Sequence, residues 1–250
     1  MRLFLFLCDV KTSKEMCKSI THIAVIALVM SFVIGCNKPE NPNDHGNDSI
    51  AEHEYVDLGL PSGTLWATCN VGANTPEDYG DYFAWGETEP KDVYDWSSYN
   101  YGDFVFERYE LTKYCTDSNY GDDGFTDNLI FLELDDDAAT ANWGADWRMP
   151  TRDEWEELFL NTTYTITTLN GVNGCLFTAE NGNSLFLPAA GYWWNDGFNG
   201  AGIGVYWSSL INKEFPYRVW GFHINPDSSH ICGSSDRCRG QSVRAVRSAE

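Results

Sequence analysis

From residue 55 onward, apolar positions recur mostly with a period of two, the pattern of short, half-buried strands. Tyr55-Val56-Asp57-Leu58 and Thr64-Leu65-Trp66-Ala67 flank the turn cluster Pro61-Ser62-Gly63, so a hairpin is predicted there. Ser184-Leu185-Phe186-Leu187, Val205-Tyr206-Trp207-Ser208 and Val219-Trp220-Gly221-Phe222-His223-Ile224 have the same character. Ser242-Val243-Arg244-Ala245-Val246-Arg247 alternates small or apolar with polar side chains, which predicts a half-buried closing strand.

Helical spacing is confined to two places. Thr151-Arg152-Asp153-Glu154 has the capping-box form, in which the threonine hydroxyl accepts from an early backbone N–H and the glutamate reaches back. Trp155, Leu158 and Phe159 then share one face, leaving Asp153, Glu154, Glu156 and Glu157 to water or the positive helix N-terminus. A second helix is predicted over Asp135 to Asn142, with Asp135-Asp136-Asp137 in its first turn and three alanines, Ala138, Ala139 and Ala141, as strong formers. Helix chemistry accounts for both acidic clusters; a Ca2+ site or a catalytic carboxylate pair is the competing reading, which needs a richer oxygen set.

Upstream the pattern changes. An apolar run from Ile23 to Ile34 ends in Val33-Ile34-Gly35-Cys36 and meets a polar, Pro-rich segment at once. The run is about twelve residues, against the roughly 20 that a helix needs to cross a bilayer core. A short apolar region closed by small residues and a Cys is the layout of a bacterial lipoprotein signal, with Cys36 as the lipidated residue. Residues 1–35 are read as that signal, and Met16 is a candidate true start because Met16-Cys17-Lys18 supplies a compact charged region. Residues 36–54 carry almost no large apolar side chains and read as a lipidated, flexible tether. Within it, Asp48-Ser49-Ile50 resembles a Bacteroidetes O-glycosylation sequon, and Asn37-Lys38-Pro39-Glu40 resembles the export signals of surface lipoproteins. One domain is expected, over residues 55–250.

The whole chain carries a net charge of -21, and removal of residues 1–35 leaves -23. Phosphate backbones and anionic headgroups are repelled by such a chain, so nucleic acid is excluded as a partner. Five cysteines follow Cys36: Cys69, Cys115, Cys175, Cys232 and Cys238. In an oxidising envelope compartment most should pair, although spacing alone does not fix which. Cys69 and Cys115, flanking the connection between the first hairpin and the first helix, are expected to form a disulfide, and Cys232 with Cys238 is a candidate loop clip. His223, His230, Cys232 and Cys238 lie close in sequence, but no C-x2-C or H-x3-H spacing occurs among them, so neither a metal nor another cofactor is assigned.

Six blocks in order carry a resemblance: Tyr55 to Ala67 (YVDLGLPSGTLWA), Tyr82 to Glu87 (YFAWGE), Trp143 to Thr151 (WGADWRMPT), Leu187 to Tyr192 (LPAAGY), Tyr206 to Ser209 (YWSS) and Ser242 to Arg247 (SVRAVR). Over Tyr55 to Arg247 the chain is similar to the Fibrobacter succinogenes major paralogous domain family. That resemblance implies an α+β, C-type-lectin-like domain with a mixed, mostly antiparallel sheet, two short helices and long loops, distantly related to the formylglycine-generating-enzyme fold. In such a domain Tyr55–Leu58 and Ser242–Arg247 would be neighbouring strands, leaving a loop-rich face to bind.

The best candidate contact segment runs from Tyr192 to Gly200, with Trp193, Trp194, Asn195, Asp196 and Phe198 as binding residues. Flat aromatics stack on the C–H faces of sugar rings while Asn and Asp satisfy hydroxyls, and the same residues anchor protein partners. The competing reading places Trp193 and Trp194 in the core. Trp194-Asn195-Asp196 also spells a triplet that supplies Ca2+ ligands in sugar-binding C-type lectins, but its upstream partner motif is missing: Glu89-Pro90-Lys91 has Lys where an amide oxygen is wanted. The expected role is a noncatalytic binding or adhesion module for a glycan or a cell-surface protein, lipid-anchored in the outer membrane and exposed at the surface. The alternative is an oxidase resembling the formylglycine-generating enzyme that uses Cys232 and Cys238, with five residues between them where that family has four.

Overall fold

The computed structural model describes residues 53–225 and 231–249. The chain divides into a unit of residues 1–47 and a unit of residues 48–250, and only the second contains described residues. The signal segment, Cys36 and the tether through residue 52 therefore lie outside the described residues.

In chain order the strands are β1 (Tyr55–Asp57), β2 (Thr64–Ala67), β3 (Tyr82–Phe83), β4 (Gly102–Val105), β5 (Arg108–Leu111), β6 (Thr162–Leu169), β7 (Val172–Ala179) and β8 (Ser184–Pro188). They continue with β9 (Tyr192–Trp194), β10 (Gly197–Asn199), β11 (Gly204–Ile211), β12 (Arg218–Ile224), β13 (Ile231–Asp236), β14 (Gln241–Ser242) and β15 (Val246–Ser248). Two α-helices, α1 (Ala138–Trp143) and α2 (Arg152–Leu160), lie between β5 and β6. The class is α+β, as the sequence pattern predicts. The largest sheet has the order β13-β12-β11-β14-β3, in which only the β11–β14 pairing is parallel.

The predicted first hairpin forms as β1 and β2, with Val56 opposite Trp66. The closing strand differs from expectation in two ways. Its end, β15, pairs with β2 rather than with β1, so β2 is the centre of a three-stranded sheet. Its start, Ser242, belongs to β14 in the large sheet, and Val243, Arg244, Ala245 and Val246 are all buried. Arg244 thus faces no solvent. Its Nε donates to Asn70 Oδ1 at 2.9 Å, and Nη1 donates to the carbonyls of Ala67 and Thr68 at 3.0 and 2.7 Å. Alternation misreads this arginine because the backbone oxygens of the β2 end replace water around it. The fold also begins earlier than Tyr55. His53 stacks on Trp143 at 3.9 Å, and Thr68 N–H donates to the Glu54 carbonyl at 3.0 Å.

Side chains alternate across β11, so its neighbours Tyr206 and Trp207 enter different apolar clusters. Trp207 joins Trp85, Trp143, Trp147 and Met149, whereas Tyr206 joins Trp66, Trp155, Phe177 and Phe222. Helix α2 seals the second cluster: Trp155 lies parallel to Phe222 at 5.0 Å, and its indole N–H donates to the Trp207 carbonyl at 3.1 Å. The capping box at Thr151 is present, with Thr151 Oγ1 accepting from Glu154 N–H at 3.2 Å.

The acidic residues of α2 do more than face water. Glu154 accepts both Arg148 terminal nitrogens, at 2.8 and 2.6 Å, together with Thr151 N–H at 2.7 Å and Thr64 Oγ1 at 3.0 Å. Glu157 accepts Ser62 N–H at 2.8 Å, so the helix clamps the β1–β2 turn. The other helix starts three residues later than predicted past a short 3-10 turn, Leu134–Asp136, because Asp137 is its N-cap and accepts from Ala139 and Thr140. Asp136 accepts Lys113 Nζ at 2.6 Å and Tyr101 Oη at 2.8 Å. Burial pushes its carboxyl upward, but those partners outweigh it and hold the group below the usual carboxylate range.

Glu154→Ala removes one partner of a largely buried pair and should cost about 3 kcal/mol, read as a lower urea midpoint. Burial opposes the Glu154 carboxylate, but Arg148 and Thr151 depress its folded pKa below the ordinary 4.5. Its contribution is therefore complete above that value and lost as pH falls through the folded pKa, and the Ala variant should show a flatter acid limb in melts between pH 5 and 2.

Candidate functional site

The segment singled out in the sequence folds as a two-strand hairpin. β9 and β10 pair with Trp193 opposite Phe198 and Trp194 opposite Gly197, which leaves Asn195 and Asp196 as the turn. Asn195 holds φ at 55°, a left-handed conformation that Asn tolerates better than most residues. Directly opposed residues on an antiparallel pair share a face, so Trp193 and Phe198 lie on one side and Trp194 on the other.

Backbone pairing on both flanks fixes the hairpin. Asn195 exchanges hydrogen bonds with Tyr94 at 3.0 and 2.8 Å, and Trp193 exchanges them with Gly240 at 2.8 and 3.0 Å. Glycine is required beside it: a Cβ at Gly240 would lie 2.8 Å from the Tyr94 ring, and one at Gly191, where φ is 61°, would lie 2.5 Å from the Asn199 carbonyl.

The structure separates the two tryptophans that sequence treats as equals. Trp193 is partly buried, packs against the small cluster of Ala84, Tyr94, Tyr99 and Cys238, and meets Tyr82 and Phe198 edge-on at 6.4 and 6.1 Å. Trp194 is 39 % exposed and Phe198 is 42 % exposed. Asn195 and Asp196 are exposed as well. The five predicted binding residues are therefore together, with Trp193 as the footing and the other four at the surface.

Arg239 is the contributor that sequence reasoning missed. Its guanidinium lies 3.7 Å from the centroid of the Trp194 ring and 5.3 Å from that of Tyr192. Burial lowers its pKa, against the raising effect of Asp236, whose Oδ2 is 3.8 Å from Arg239 Nη2. A cation against one face of an indole holds the ring at a fixed angle and leaves the other face available for stacking. The only signal in the sequence was a basic residue next to Cys238 in a chain this acidic.

No disulfide joins the five described cysteines, so the expected Cys69–Cys115 bond and the Cys232–Cys238 clip are both absent. Each thiol has its own environment. Cys69 Sγ donates to the Ala73 carbonyl at 3.5 Å and Cys115 Sγ to that of Asp117 at 3.2 Å. Cys232 packs with the Trp155–Phe222 cluster and Cys238 with the Tyr94–Tyr99 cluster, because one lies inside a paired strand and the other beyond its end. Burial raises both thiols, Cys238 to about 12, which opposes thiolate formation. Among the described residues no group of three or more His, Cys, Asp or Glu is placed to hold a metal ion. The Trp-Asn-Asp triplet lies in a turn whose Asn195 is occupied through its backbone by Tyr94.

Trp193→Ala should lower stability by about 2 kcal/mol, as loss of a half-buried indole does, whereas Trp194→Ala should change it by less than about 1 kcal/mol. Thermal melts of the two variants check this difference. Peptide mapping without reduction should find the five cysteines unlinked, and native alkylation at pH 7 should label Cys69 and Cys232 ahead of Cys115, Cys175 and Cys238. Compared with protein-family models, curated proteins and solved structures, the chain matches none.

Proposed function

We propose that this protein is a noncatalytic, C-type-lectin-like binding module of the bacterial cell envelope, and that it takes a glycan against the exposed face of Trp194. The observation that carries the reading is the Trp194 indole: 39 % exposed, backed by Arg239 at 3.7 Å, on a hairpin locked to the body by four backbone hydrogen bonds. A stacking surface held this way loses little conformational freedom on binding, and affinity then follows ring contact and hydroxyl pairing. Asp196 at the turn tip and Asn199 beside it are exposed groups that can accept from or donate to sugar hydroxyls. The β1-β2-β15 sheet brings the two ends of the described chain together, which accords with a lectin-like plan in which loops between distant elements form the contact face.

In this reading Cys36 carries lipid, residues 36–52 serve as a tether, and the domain is displayed on the outer membrane. The -21 charge of the chain favours neutral or cationic partners over anionic ones.

A glycan array probed with residues 48–250 tests the ligand class. Bound glycans should lose tenfold or more in affinity to Trp194→Ala at unchanged melting temperature, a loss expected of a central contact aromatic. Retained binding by that variant would remove the site from the hairpin. Cys36→Ser should release the full chain from the membrane fraction into the detergent-poor phase with the domain still folded, and a variant that stays with membranes would end the lipoprotein reading.

A further inference from the structure

The β4–β5 hairpin turns through Phe106 and Glu107, and both residues hold positive φ, 50° and 61°. Two-residue turns with this backbone are normally made of Asn, Asp and Gly, since a Cβ crowds the following carbonyl there. A bulky aromatic in that position is an outlier. Phe106 gains no packing in return: its ring is 94 % exposed.

Behind the tip lies an aromatic ledge. Phe104 and Tyr109 face each other across the hairpin at 4.8 Å, and Tyr109 stacks on Tyr217, the residue before β12, at 3.9 Å with the planes 9° apart. Tyr120 extends the ledge, 5.3 Å from Tyr217. Its surroundings are mainly acidic, and the cation beside it, Arg218, lies 3.8 Å from Asp236. Residues 101–137 carry eleven Asp and Glu against two basic side chains, Arg108 and Lys113. Both cations are already paired, Arg108 with Glu110 at 3.1 Å and Lys113 with Glu133 and Asp136 at 2.6 Å each. Glu107, Asp122 and Asp123 remain exposed at the rim.

We propose that the Phe106 tip and the Tyr109–Tyr217 ledge form a docking surface for a cationic protein segment, one that presents Lys or Arg side chains beside an apolar recess. The tyrosine faces take the guanidinium or ammonium groups, the acidic rim steers the segment in, and the Phe106 ring enters the recess. Strain at the turn keeps the ring projecting, a conformation retained at a cost to the fold. This surface uses elements other than the β9–β10 hairpin, so it stands independently of the glycan reading.

The test pairs stability with binding. The double variant F106N/E107G relaxes the turn and should melt at a higher temperature than the parent, while its affinity for a fluorescein-labelled peptide of alternating Arg and Leu should fall tenfold or more. Phe106→Ala, which leaves the charge untouched, should lose affinity to the same extent, and the parent's binding should weaken as salt is raised. Equal binding by parent and variants would reduce the attraction to diffuse charge and overturn the proposal. So would equal affinity for a Glu-Leu peptide, or a lower melting temperature in F106N/E107G, which would make Phe106 a structural residue. Phe106-dependent partition onto phosphatidylcholine vesicles would reassign the ring to a membrane, and Phe106-dependent self-association in sedimentation would reassign it to a second copy; either result overturns the proposal.

Discussion

A buried indole N–H is costly to leave unpaired, and in this fold three such groups find backbone carbonyls that no ladder would otherwise connect, while that of Trp66 has no acceptor among the described residues. Trp85 donates to Ser208 at 2.8 Å, Trp207 donates to Phe83 at 2.7 Å, and Trp155 donates to Trp207 at 3.1 Å. The first two are reciprocal bonds between the β3 end and β11, which are not neighbours, since the two-residue β14 lies between them. A sheet that reaches its edge strand through a member that short has little ladder energy at that end. The indoles supply the missing connection, and each bond is worth more in a dry core because leaving the N–H unpaired there carries the full desolvation cost. The third bond extends the same logic to α2, which is seated on the sheet by one side chain that both packs and donates.

The buried arginines continue that logic toward the end of the chain. Arg237 Nη1 donates to the Lys113 carbonyl at 3.0 Å, and the Arg237 carbonyl accepts from Trp85 N–H at 2.8 Å. Arg244 caps the carbonyls at the end of β2. Between these two anchors run Cys238, Arg239 and Gly240, the residues against which the Trp194 hairpin is set. The candidate site is thus a consequence of the core: Gly240 can pair with Trp193, and Arg239 can reach Trp194, because Arg237 and Arg244 hold the segment that carries them.

The two exposed aromatic features are built in opposite ways. Trp194 stands on a hairpin whose turn uses Asn, a residue suited to its backbone, and whose edges are hydrogen-bonded on both sides. Phe106 stands on a hairpin whose turn residues resist their backbone, and its side chain is 94 % exposed. The first arrangement fixes a contact surface within a stable body, and the second retains a side chain in solvent against local preference.

Local chemistry was legible from the amino-acid order. The capping box at Thr151, the hairpin around Pro61-Ser62-Gly63 and the strand character of β8, β11 and β12 depend on neighbours within a few residues, so periodicity and turn composition carry them. The grouping of Trp194 with Asn195, Asp196 and Phe198 was legible for the same reason, because a two-residue turn brings its own flanks together. Tertiary structure decided everything that depends on a distant partner. It buried Arg244 in a segment that alternates like a surface strand, it turned Glu154 and Glu157 from solvated helix residues into clamps on the first hairpin, and it kept Cys232 and Cys238 apart in separate clusters although only five residues lie between them. It also split Trp193 from Trp194 and supplied Arg239. Which face of a short strand meets the core, and which carbonyl is within reach of a cation or an indole, depends on packing between segments far apart in the chain, 52 residues for Trp155 and Trp207 and 177 for Ala67 and Arg244, and no local pattern encodes it.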